Sequence, residues 1–156
     1  MECLINDTRV KLQDGEIYSF IKYRNSHSIK WCLLKGCLSY NSPYKTIKIN
    51  KKLYKYHRVI YKLHNPEWEI DNEPFKNQID HIDRNKLNNN INNLRVVSNQ
   101  QNSFNTNCKG YRFRKKKNIY EVRIGFNNGE SKSYSVKTEA EAIKLRAELK
   151  IIYHTI

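Results

Sequence analysis

One stretch, Gln78 to Asn107 (QIDHIDRNKLNNNINNLRVVSNQQNSFNTN), leaves the chain few choices. Two short β-prone runs, QIDH and LRVV, flank a turn crowded with asparagine, a residue that tolerates left-handed backbone and hydrogen-bonds its own chain. Ser98 and Gln101 then form an S-x-x-Q capping box, which marks a helix N-terminus. The expected order is strand, loop, strand, short helix. Asp80 and His81 end the first strand, and Asn102 falls about one turn inside the helix. Asn85, Asn88, Asn89 and Asn90 read most simply as turn formers.

These residue types suit metal-assisted cleavage of a phosphodiester. A hard cation such as Mg²⁺ prefers oxygen ligands and keeps waters and substrate phosphate among them. The Asp80 carboxylate and the Asn102 amide carbonyl are such oxygens. His81 titrates near neutrality and can take a proton from an attacking water. Adjacent strand residues point to opposite faces, so Asp80 and His81 share a site only where the strand ends or twists.

The run DHIDRNKLNNNINNLR followed by Asn102 resembles the HNH endonucleases, in the asparagine-ended form found in homing endonucleases of phage introns. From His81 to Asn93 is twelve positions and from Asn93 to Asn102 nine. The resemblance implies a ββα-metal fold holding Mg²⁺ or Mn²⁺. Asp80 and Asn102 would be the metal ligands and His81 the general base. Asn93 would pin the loop and orient His81. Arg84 stands where the family often has glycine, and Asn92 replaces a common glutamate. The preceding YKTIKINKKLYKYHRVIY resembles the N-terminal part seen ahead of such motifs.

The charge points the same way. The 156 residues carry a net charge of +14, which calls for a polyanionic partner. No run of about eighteen apolar residues exists to cross a bilayer, so double-stranded DNA is a better partner than membrane. The N-terminal MECLINDTRV lacks the features of a signal peptide, which implies an intracellular protein, in host cytoplasm or nucleus. Cys3, Cys32, Cys37 and Cys108 lack C-x-x-C spacing and read as reduced thiols rather than a zinc site. Abundant lysine, asparagine, isoleucine and tyrosine, all encoded by A/T-rich codons, suggest an A/T-rich genome such as that of a phage or large virus.

Residues 1–56 read as β-rich, with strands at Glu16–Arg24 and Ser28–Gly36 around an Asn-Ser-His turn, and a hairpin over Thr46–Tyr56 bending at Asn50-Lys51. His57–His64 is expected to be a helix, since Tyr56, Val59, Ile60 and Leu63 form one apolar stripe. His57 reads as a packed histidine and Arg58 as a phosphate contact. Residues 67–76 read as a surface loop leading to the 77–107 core.

Beyond residue 107 the spacing predicts strands at Tyr111–Lys116, Ile119–Phe126 and Lys132–Val136, with a hairpin turn at Asn127-Asn128-Gly129. A T-x-x-E capping box at Thr138 and Glu141 opens a helix with the stripe Ala142, Leu145, Leu149 and Ile152. Between Cys108 and Lys137 nine lysines and arginines face two acids, so the open face of this sheet is expected to be basic. The segment resembles the DNA-binding domain of plant ethylene-response factors. Arg112, Arg114 and Arg123 suit guanine contacts, while Lys109, Lys115, Lys116, Lys117 and Lys132, with Arg84 in the first part, suit phosphates.

The sequence thus describes an α+β chain with a nuclease part at 1–107 and a DNA-binding part at 108–156, acting as monomer or homodimer. Its expected function is a metal-dependent, sequence-recognising DNA endonuclease. A non-catalytic DNA-binding protein on the same scaffold and a restriction-type or low-specificity nuclease are the alternatives.

Overall fold

The computed structural model describes residues 1–22, 29–71, 78–126 and 128–154. The Asn-Ser-His turn, Asn127 and part of the 67–76 loop lie outside the described residues. The chain divides into two compact units, Met1–Val96 and Val97–Ile156, each with its own core.

In the first unit, β1 (Glu2–Ile5), β2 (Thr8–Gln13), β3 (Glu16–Lys22) and β4 (Ile29–Leu33) form an antiparallel sheet in that order. Asn6-Asp7 and Asp14-Gly15 all have positive φ, the conformation that lets a two-residue turn match the twist of its strands. Ile5, Val10 and Ile17 point inward and are fully buried. A second antiparallel sheet comprises β5 (Cys37–Ser39), β6 (Ser42–Ile49) and β7 (Lys52–Lys55). Its β6–β7 hairpin bends at Asn50-Lys51 as expected, again with two positive φ values. Ile47 and Ile49 are buried while Lys48 between them is exposed, the alternation of a half-buried strand.

The helix α1 (Tyr56–His64) buries the stripe the sequence shows: Tyr56, Val59, Ile60 and Leu63, together with His57. Lys62 and His64 in its last turn complement the helix dipole. Both sheets, α1, Ile70, Ile79 and Leu94 share one core. Truncating a fully buried member such as Leu63 to alanine removes roughly 2–5 kcal/mol. Two short strands, β8 (Gln78–His81) and β9 (Leu94–Val97), pair beside it, separated by a loop and a 3₁₀ turn at Ile91–Asn93.

The second unit begins with α2 (Asn99–Phe104), whose capping box between Ser98 and Gln101 is complete. It continues with an antiparallel sheet, β10 (Tyr111–Arg114), β11 (Ile119–Gly125) and β12 (Ser131–Val136), and ends with α3 (Glu139–Tyr153), capped by Thr138 and Glu141. Val122 and Ile124 pack on Ala142 and Leu149.

Two expectations are corrected here. The strand expected over Tyr111–Lys116 ends at Arg114, and Lys115–Lys117 form a 3₁₀ turn closed by Asn118 in left-handed backbone. Ile152 is exposed and Tyr153 takes its place against Phe126, because a 3.6-residue helix drifts off a strict seven-residue stripe. The helix α2 groups with the second unit. Its Gln100 amide donates to the Phe126 carbonyl, and the Phe104 ring stacks on His154 at 3.8 Å and 6°.

Candidate active site

Asp80 and His81 close β8, and both are buried, at 7% and 4% exposure. The strand ends at His81, which meets the condition for two consecutive residues to serve one site. From β9, the Arg95 guanidinium donates through Nε (3.0 Å) and a terminal nitrogen (2.9 Å) to Asp80 Oδ2. That ion pair neutralises a carboxylate otherwise buried at a severe desolvation cost.

The loop after β8 is locked by side-chain amides. Asn93 accepts from the Asp83 N–H (3.0 Å) and donates to the Asp83 carboxylate (2.9 Å) and the Asn88 carbonyl (2.9 Å). The Ile82 N–H donates to the Asn93 carbonyl at 2.9 Å. Asn88 Nδ2 donates to Asp83 as well, at 2.7 Å. These amide bonds hold the Asp83 carboxyl below its usual range, Asn88 contributing most. Asn93 thus ties together the backbone and side chains of the loop between β8 and β9. Arg84 lies in this turn with φ +64°. The turn keeps the left-handed backbone that glycine would adopt easily, and Arg84 bears the strain.

Three neighbours of His81 were not singled out for the site from sequence. Asn89 Nδ2 donates to the Leu87 carbonyl (3.2 Å), which turns Oδ1 to within 3.2 Å of His81 Nε2. The His57 ring meets His81 edge-on, with centroids 4.9 Å apart. Tyr44 on β6 lies 5.1 Å from His57 and 6.1 Å from His81 between ring centroids. Burial, then the charge of His81, Lys55 and Arg58, lowers the His57 pKa to about 3. His57 is thus neutral at pH 7 and packs without adding charge beside His81. Burial and then the Asp80 charge raise the Tyr44 phenol pKa. The asparagine run gave no sign of which amide would meet His81, and β6 lies far from the motif in sequence.

Asn102 sits on α2 in the second unit, where its N–H donates to the Ser98 carbonyl. Among the described residues no cluster of three His, Cys, Asp or Glu side chains could hold a metal. The donor set at Asp80 still fits a hard cation, because such an ion needs few protein oxygens and fills its shell with water and phosphate.

Arg58 donates to the Ile70 carbonyl at 2.5 Å and stacks over Trp68 at 4.8 Å, so its guanidinium ties α1 to the chain beyond it. In the second unit, Arg112, Arg114 and Arg123 share the sheet face turned away from α3, as expected. Glu121 gathers two of them, accepting from Arg112 Nε at 2.7 Å and Arg114 Nε at 3.0 Å. Arg123 donates to Ser131 Oγ. Lys132 is not on that face. It pairs with buried Ile124 and so projects on the helix side, its ammonium 5.4 Å from the Tyr134 ring centroid.

Residues 54–104 match the family model described as HNH endonuclease. The matched segment runs from β7 through α1, β8, the locked loop and β9 to the end of α2. Over 93 residues the chain is 38% identical to an uncharacterized HNH endonuclease of Acanthamoeba polyphaga mimivirus, a match covering 57% of this chain and 47% of that protein. The chain therefore spans about half the length of the curated relative it matches. No solved structure matches it.

Proposed function

We propose that this chain is a divalent-metal-dependent DNA endonuclease of the HNH kind, with a homing-type preference for particular sequences. The observation that carries the reading is the juxtaposition of Asp80 and His81 at the buried end of β8, beside a loop that Asn93 clasps. Asp80 and Asn102 are the proposed ligands of Mg²⁺ or Mn²⁺. When bound, the cation supplies charge neutralisation for the scissile phosphate and the departing oxygen.

The protein's own groups do the rest. His81 takes the proton of the attacking water. Asn89 and His57 hold its ring, and the neutrality of His57 avoids charge repulsion as His81 becomes cationic. The products are a 5′ phosphate and a 3′ hydroxyl. Arg112, Arg114 and Arg123 read base edges, while Lys109, Arg84 and the Lys115–Lys117 turn hold backbone phosphates. One such centre cuts one strand, so cutting both requires a homodimer or two successive encounters. The reading places the protein inside a host cell with its DNA.

The test is nicking of supercoiled plasmid with and without Mg²⁺. Cleavage should require the ion and stop on chelation. His81→Ala should bind DNA yet cut roughly 10²–10⁴ times more slowly. Near-normal cutting by that variant overturns the assignment, and no cutting by the parent protein with any divalent ion favours a binding protein on the same scaffold.

A further inference from the structure

The Tyr44 ring brings together two cations from segments distant in sequence. Lys55, at the end of β7, holds its ammonium 4.6 Å from the ring centroid, and Lys86, in the loop after β8, holds its own at 5.1 Å. The same ring lies 6.1 Å from His81. Three separate elements, β6, β7 and the loop after β8, thus deliver an aromatic platform and the ammonium groups of two solvent-exposed lysines beside the imidazole.

A single lysine over a tyrosine is ordinary and weakly attractive at an exposed site. A second ammonium at the same ring adds like-charge repulsion that nothing in the pairwise stacking offsets. Desolvation and then the charges of Arg58 and Lys86 lower the Lys55 pKa. An anion shared by the two ammonium groups would turn that repulsion into attraction. Next to His81, the anion of fitting chemistry is a backbone phosphate.

We propose that Tyr44, Lys55 and Lys86 form a phosphate clamp that grips the DNA backbone beside the scissile bond. The clamp rests on the nuclease reading for its location. It binds substrate and takes no part in proton transfer. It lies outside the basic sheet of the second unit and is a second, independent grip on the duplex.

The test uses the full chain carrying His81→Ala, so that DNA stays intact, with a fluorescein-labelled 30-base-pair duplex of random sequence read by anisotropy from 50 to 200 mM NaCl. Two phosphate contacts account for a slope of about 1.8 in log affinity against log salt. Lys55→Gln with Lys86→Gln should lower the slope by that amount, so the affinity lost across the salt range shrinks about tenfold relative to the parent. Lys55→Arg with Lys86→Arg keeps both charges and should restore the slope. A slope unchanged in the glutamine double variant overturns the clamp. Plasmid nicking by the His81-intact protein separates the two ideas. Nicking with an unchanged slope leaves the nuclease and removes the clamp, whereas a reduced slope without nicking leaves the clamp and removes the nuclease.

Discussion

Replacing Arg95 by methionine probes the most buried charge in the candidate site. The substitution keeps much of the side-chain bulk and removes both donors to Asp80 Oδ2, at 3.0 and 2.9 Å. Asp80 is only 7% exposed, so its carboxylate cannot recover full hydration. Breaking a fully buried ion pair removes about 3–5 kcal/mol. Arg95 is itself 28% exposed, so water enters part of the vacated space, and the expected loss is nearer 2–3 kcal/mol. For a unit of this size that lowers the Tm by roughly 10–20 °C, readable by tryptophan fluorescence because Trp31 and Trp68 both lie in the first unit. Mg²⁺ offers Asp80 a replacement counter-charge and should recover more stability in the variant than in the parent. A Tm within about 3 °C of the parent, with no added response to Mg²⁺, would show that Asp80 depends on neither partner.

Three other outcomes follow from local geometry. The native His57 pKa of about 3 lies below the ordinary 6.5, so the unfolded chain binds this proton first. Stability from the neutral ring is complete above pH 6.5 and declines as pH falls toward 3, by up to about 1.4 kcal/mol per pH unit. His57→Gln should flatten that acid limb in urea titrations, and an unaltered limb refutes it. Arg84→Gly relieves left-handed strain of about 1–2 kcal/mol against an unfolded-state entropy penalty of about 0.5–1. A net gain of about 0.5–1 kcal/mol in urea titration is expected, and a loss of stability refutes the strain. Gly110 has φ +68°, a backbone conformation that strains any L side chain; Gly110→Ala should destabilise the second unit by about 1–2 kcal/mol in thermal melts, and a neutral effect would contradict that strain.

What the sequence disclosed was whatever depends on local periodicity. The α1 stripe, the two capping boxes and the Asn50-Lys51 bend each need fewer than ten residues to declare themselves. The β1–β2 and β2–β3 hairpins carried equally local signals, Asn6-Asp7 and Asp14-Gly15, yet their strands are short and mixed in polarity. Asp80, His81 and Asn93 could be singled out because residue type and spacing coincide there. Arg95, Tyr44, Lys55 and Lys86 were not, because their roles arise from packing between segments with no fixed separation. Nor does the sequence around Arg58 show that the carbonyl of Ile70 and the Trp68 ring engage its guanidinium.

The clasp around His81 consists mostly of neutral amides tied to one carboxylate and to carbonyls, whereas the proposed grip on DNA is made of ammonium and guanidinium groups. Ionic strength acts on these two very differently. Brine that breaks the proposed hold on a duplex should leave the imidazole seated, so release and rebinding would repeat without rebuilding the proposed catalytic machinery.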